Sequence, residues 1–66
     1  MEIKLTHSEN EIAKLIKEGK TNKEIAHELY LTVGTVEQYV SKILMKMGTK
    51  NRTLLALMLR NETKNL

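Results

Sequence analysis

Residues 21–48 read TNKEIAHELYLTVGTVEQYVSKILMKMG, and this stretch decides the fold. Thr21-Asn22-Lys23-Glu24 is a capping box: a threonine hydroxyl accepts the backbone N–H three residues on, and the glutamate there reaches back to the threonine N–H. Ile25, Ala26 and Leu29 then supply a short apolar face at helical spacing. The next helix start, at Thr32, arrives before any glycine and leaves Tyr30-Leu31 to make a tight connection. Two capped helices joined this closely cannot run antiparallel over any length, so a steep crossing is expected. Beyond Thr32, Val33, Val36, Val40, Ile43, Leu44 and Met47 fall on one side at 3.6 residues per turn, and Gly48 ends the helix.

The opposite side of that third helix is informative. Gln38 lies nearly opposite the apolar stripe, flanked by Gly34, Ser41, Lys42 and Met45, with Thr35 further round. A merely solvated face tends to be dense in Lys and Glu. This one is small and polar towards its N-terminus, which suits a helix that enters a groove and approaches base edges closely. Helices two and three together read as a helix-turn-helix.

Working outward, Thr6-His7-Ser8-Glu9 is another capping box, and Ile12, Leu15 and Ile16 form a stripe with Ala13 beside it. A first helix from about residue 7 to 18 follows, stopped by Gly19 in the left-handed conformation. A fourth helix begins near Asn51 and carries Leu54-Leu55-Ala56-Leu57-Met58-Leu59 without a break. Six consecutive apolar residues cover the whole circumference of a helix. In so small a domain one side is left uncovered, and such surface marks an interface. A homodimer through helix four is the economical expectation, with Leu54, Leu57 and Met58 at its interface. The fold class is therefore all-α: one compact four-helix domain over residues 1–66, with its core at about 5–60 and a tail at 61–66.

Composition narrows the function. The 66 residues contain no Cys, Pro, Phe or Trp and only three Gly, while 41% are hydrophobic. Disulfide frameworks and thiolate metal sites are excluded, and disorder is not expected. The net charge of +3 is uneven. Residues 1–18 balance to −1, 19–49 to +1 and 50–66 to +3, a mild excess compatible with a polyanionic partner. No apolar run reaches transmembrane length and Met1-Glu2-Ile3-Lys4 does not open a signal peptide, so no membrane partner and a cytoplasmic location are expected. His7 and His27 read as surface residues without a second ligand at metal spacing. No nucleophile, base and orienting acid stand together, and no glycine-rich phosphate loop exists. Neither an enzyme, a cofactor nor a small-molecule ligand is expected.

Leu5-Thr6, Glu9, Glu11-Ile12, Leu15-Ile16, Gly19, Thr21 through Ala26, Leu29, Thr35-Val36, Ile43, Lys46-Met47 and Asn51-Arg52 occur in an ordered, ungapped set. That set resembles the LuxR-type (NarL/FixJ, GerE-like) helix-turn-helix domain of bacterial transcription regulators, over about residues 5–60. The resemblance implies a four-helix domain whose second and third helices bind DNA and whose fourth commonly mediates dimerisation. Many such domains are the C-terminal output domains of response regulators or autoinducer receptors. Ser8, Ala13, Glu37, Tyr39 and Leu54 depart from the pattern. At position 37 a Lys is frequent, whereas a carboxylate repels phosphate and can only accept, best from cytosine N4.

The expected function is thus sequence-specific binding of double-stranded DNA, with residues 33–47 as recognition helix. Glu37, Gln38 and Ser41 are the expected base readers, Gln38 being able to pair two-fold with adenine. Asn22, Lys23, Thr32, Thr35, Lys42 and Lys46 are the expected phosphate contacts, several of them at helix N-termini whose unpaired amides suit anions. Arg52 can pair with a helix-three acid or a phosphate, and the structural role is the expected one. RNA polymerase is a further possible partner. The rival reading is a protein-interaction module with weak or no DNA affinity, which salt dependence would separate from a DNA reader.

Overall fold

The computed structural model describes residues 4–64. Four helices follow one another: α1 (His7–Lys17), α2 (Asn22–Leu29), α3 (Val33–Met47) and α4 (Arg52–Lys64). Each start has a side-chain cap. Thr6 and Thr21 form complete capping boxes with Glu9 and Glu24, and Thr32 Oγ1 accepts the Thr35 N–H at 3.1 Å. At the head of α4, Asn51 Oδ1 accepts the Thr53 and Leu54 amides at 2.8 and 3.1 Å. Caps of this kind satisfy the orphan amides that otherwise weaken short helices.

The first three helices end alike. The residue just past the last turn takes a left-handed conformation, and the next amide bonds back to a carbonyl five residues earlier. Lys20 N–H reaches Leu15 O at 3.0 Å, Leu31 N–H reaches Ala26 O at 2.8 Å, and Thr49 N–H reaches Leu44 O at 3.1 Å. Gly19 (φ +88°) and Gly48 (φ +72°) serve two of these ends, as expected of glycine. The turn between α2 and α3 is the exception: there the left-handed residue is Tyr30, at φ +57°.

Packing follows the periodicity. α3 is the hub, in contact with all three other helices, and α1 also packs on α4. Ile12 and Ile16 of α1, Ile25 of α2, Val36 and Ile43 of α3 and Leu55 of α4 are the largest side chains fully removed from solvent. Every helix thus contributes to one core. Two details differ from expectation. Val33, assigned to the buried stripe of α3, is 40% exposed, whereas Val36, one turn on, is fully buried. The stretch 61–66 is not a separate tail as far as Lys64, since α4 continues through it; residues 65 and 66, like Met1 to Ile3, lie outside the described residues.

Candidate nucleic-acid interface

α3 has 15 residues and is therefore about 22 Å long. The molecule measures 31 × 21 × 19 Å, so α3 is long on the scale of the whole domain. Val36, Val40, Ile43 and Met47 anchor the inner side. Gly34, Glu37, Gln38, Ser41, Lys42 and Met45 are all exposed. Met45, an apolar residue, is 80% exposed. The three residues expected to read bases therefore stand together on an open face, with Lys42 along one edge and Glu37 along the other.

The residues expected at phosphates divide into two groups. Lys23 and Lys42 are exposed cations. Thr32 and Thr35 sit at the head of α3, where the Thr32 hydroxyl also donates to Thr35 Oγ1 at 2.9 Å. That leaves the Thr35 hydroxyl its own hydrogen to donate outward. Asn22 and Lys46, by contrast, are engaged within the protein. Asn22 Oδ1 accepts a hydrogen bond from Arg52 Nη1, while Arg52 Nη2 donates to Lys20 O at 2.7 Å. Lys46 Nζ lies 2.7 Å from Glu9 Oε1.

Neither tie was visible in the sequence, because the partners are 30 and 37 residues apart. A partial signal existed for Lys46. Counting about 100° per residue puts it well round from the Gly34–Gln38–Ser41 stripe, towards the buried side. Arg52 has a structural role, and its partners are Asn22 and a backbone carbonyl rather than an acid of α3. Through it the first turn of α4 is tied to the first turn of α2.

Glu9 is 3% exposed, and its Oε1 accepts from both Lys46 and the Thr6 amide, the latter at 2.8 Å. The Lys46 ammonium, and then the Thr6 N–H, hold its carboxyl below the ordinary value of 4.5; burial opposes this without overcoming it. Glu24 is lowered too, chiefly by the Thr21 amide it accepts. Among the described residues no group of His, Asp and Glu could hold a metal ion.

On α4 the apolar run divides by its position on the helix. Leu55 and Leu59 are buried and Ala56 and Met58 are half-buried, whereas Leu54 and Leu57 are 50% and 47% exposed. No described helix is long and apolar enough to cross a membrane.

Residues 4–59 match the family model described as bacterial regulatory proteins, luxR family. The chain belongs to the luxR family. Similar luxR-family relatives include the uncharacterized transcriptional regulatory protein YvfU of Bacillus subtilis, 53% identical over 49 residues, which are 74% of this chain and 24% of the relative. The transcriptional regulatory protein LiaR of the same organism is 51% identical over 49 residues, covering 74% and 23%. The DNA-binding transcriptional activator DevR/DosR of Mycobacterium tuberculosis is 45% identical over 49 residues, again 74% and 23%. The chain thus spans about a quarter of the length of the curated luxR-family relatives it matches.

Proposed function

We propose that this domain is the DNA-reading part of a bacterial transcription regulator and places α3 in the major groove. The observation that carries the reading is the exposed face of α3. It holds Glu37, Gln38 and Ser41 side by side, opposite the side that the core buries. Gln38 pairs with adenine, Glu37 accepts from cytosine N4, and Ser41 bonds a neighbouring base edge. Lys23, Lys42, Thr32 and Thr35 take phosphates, with Asn22 contributing its side-chain N–H groups. Lys46 ranks last in that set because Glu9 already neutralises its ammonium. The whole domain, residues 1–66, acts as one unit, and residence in the cytoplasm follows from a chromosomal partner. A homodimer through α4 is favoured by the exposure of Leu54 and Leu57, with Met58 beside them.

Selection of bound duplexes from a random library, at low and moderate salt, tests this. Enrichment of a defined sequence is expected, and Gln38→Ala should abolish preference at one base pair at a cost of about 1–3 kcal/mol. Affinity should fall with salt, and Lys42→Ala should reduce the slope of log K against log salt by about 0.9. If no duplex is enriched at either salt, the reading fails. The protein-interaction alternative, through α4, would then take its place.

A further inference from the structure

Two seams run along α1, and they carry opposite charge. The first is a groove between the C-terminal end of α1 and the outer side of α4, with Ile16, Ala56 and Leu57 as its apolar part and Lys20, Arg52 and Arg60 as its cations. No carboxylate stands among its lining residues. Arg52 donates to Asn22 Oδ1 and to Lys20 O, and Arg60 Nε donates to Lys17 O at 3.3 Å. These acceptors are neutral, so among the described residues neither guanidinium is ion-paired with a carboxylate. Lys20 lies near one acid, Glu24. The second seam lies between α1 and the C-terminal end of α2. Glu11, Glu18 and Glu28 line it beside Leu15 and Leu29, with Lys14 as the one lysine there. All three glutamates are exposed, and Glu11 is paired only with His7, at 3.6 Å. At about 100° per residue, Ile16 lies about 140° round α1 from Glu11, so the two seams look in different directions.

We infer that the basic groove between α1 and α4 of one copy receives the acidic face between α1 and α2 of a second copy, so that the domain associates head to tail. Charge complementarity selects the occupant. The groove offers three positive charges and no negative one, and the other face offers three negative charges against one positive. Guanidinium groups held only by neutral oxygens retain their preference for carboxylates. Each patch repels its own kind and attracts the other. Because the two patches differ, the contact is heterologous: one pairing leaves a basic groove open on one copy and an acidic face open on the other. It is distinct from a symmetric contact through α4, in which like surfaces meet, although Leu57 borders both.

The test is sedimentation equilibrium of the wild-type chain, of Arg60→Glu and of Glu18→Lys, without DNA. The wild type should show association at about 0.05 M salt that is lost at about 1 M, where the Debye length is about 3 Å. An apolar contact through α4 would persist at the higher salt. Both substitutions are at exposed positions, so each variant should keep the helical content of the wild type. Each reversal should weaken the salt-sensitive association at least about tenfold, since like charges then face each other. The decisive sample is an equimolar mixture of the two variants. Arg60→Glu still carries an intact acidic face and Glu18→Lys an intact basic groove, so mixing should restore the association that neither shows alone. A symmetric contact gains nothing from mixing. A wild-type chain without salt-sensitive association, a variant that associates like the wild type, or a mixture that restores nothing overturns the inference; the DNA-reading role of α3 stands in each case.

Discussion

Tyr30 is the only non-glycine at positive φ among the described residues, and its side chain is 96% exposed. Its ring packs against nothing that would offset the left-handed backbone, which costs an L-residue about 1–2 kcal/mol. Glycine would recover that at an entropic cost of about 0.5–1 kcal/mol. Tyr30→Gly is therefore expected to stabilise the domain by about 0.5–1 kcal/mol, or about 4 °C in Tm, by thermal or urea unfolding. Destabilisation would mean that the tyrosine holds the turn in some other way. The sequence placed a tight connection at Tyr30-Leu31, but not its left-handed backbone. Turn conformation is legible where glycine announces it, as at Gly19 and Gly48, and hidden where another residue adopts it. Gly34 is the converse: a glycine whose backbone needs none.

The starts of α1, α2 and α3 were legible because each is written locally in a threonine cap, and the ends of α1 and α3 because a glycine stops each; the end of α2 was bounded only by the cap that follows it. How the helices are tied to one another was not legible. The Glu9–Lys46 pair joins the first turn of α1 to the last turn of α3, and Arg52 joins α4 to α2. The first of these ties makes a pH prediction. Because the Glu9 carboxyl is lowered in the folded state, the unfolded chain takes up the proton first as pH falls. The contribution of Glu9 is thus complete above about pH 4.5 and is lost progressively as pH drops through the folded value. Glu24 acts in the same direction. Glu9→Gln should lower Tm at neutral pH and flatten, without abolishing, the fall of Tm below pH 4.5. A curve of unchanged slope would show that the pair contributes nothing to the acid response.

At the scale of the whole molecule, α4 keeps large apolar side chains half in solvent. A core assembled from side chains of four short helices is small, and a 66-residue chain leaves more of its surface in water than a larger domain does. Leu54 and Leu57 are already half exposed, so a polar substitution there leaves the core undisturbed. Leu57→Asp is accordingly expected to keep the monomer's Tm and to abolish self-association in sedimentation equilibrium. On DNA, the wild-type chain should select inverted half-sites about one helical turn apart, and the variant should bind only single half-sites. A wild-type chain that stays monomeric both in solution and on symmetric duplexes would remove the dimer.

The sequence by itself determined the four helices, most of their ends, the buried stripe of α3 apart from Val33, and the polar face opposite. All of these follow from periodicity and from caps acting over three or four residues. It also carried the family, through an ordered set of residues rather than through any one of them. Only the tertiary structure decided which polar side chains are already committed. Lys42 and Lys46 are alike in sequence, four residues apart on one helix, yet one faces solvent and the other is held by Glu9. The reason is physical. A side chain's own helix sets its direction, but the partner that captures it comes from a distant segment brought near only when the core closes.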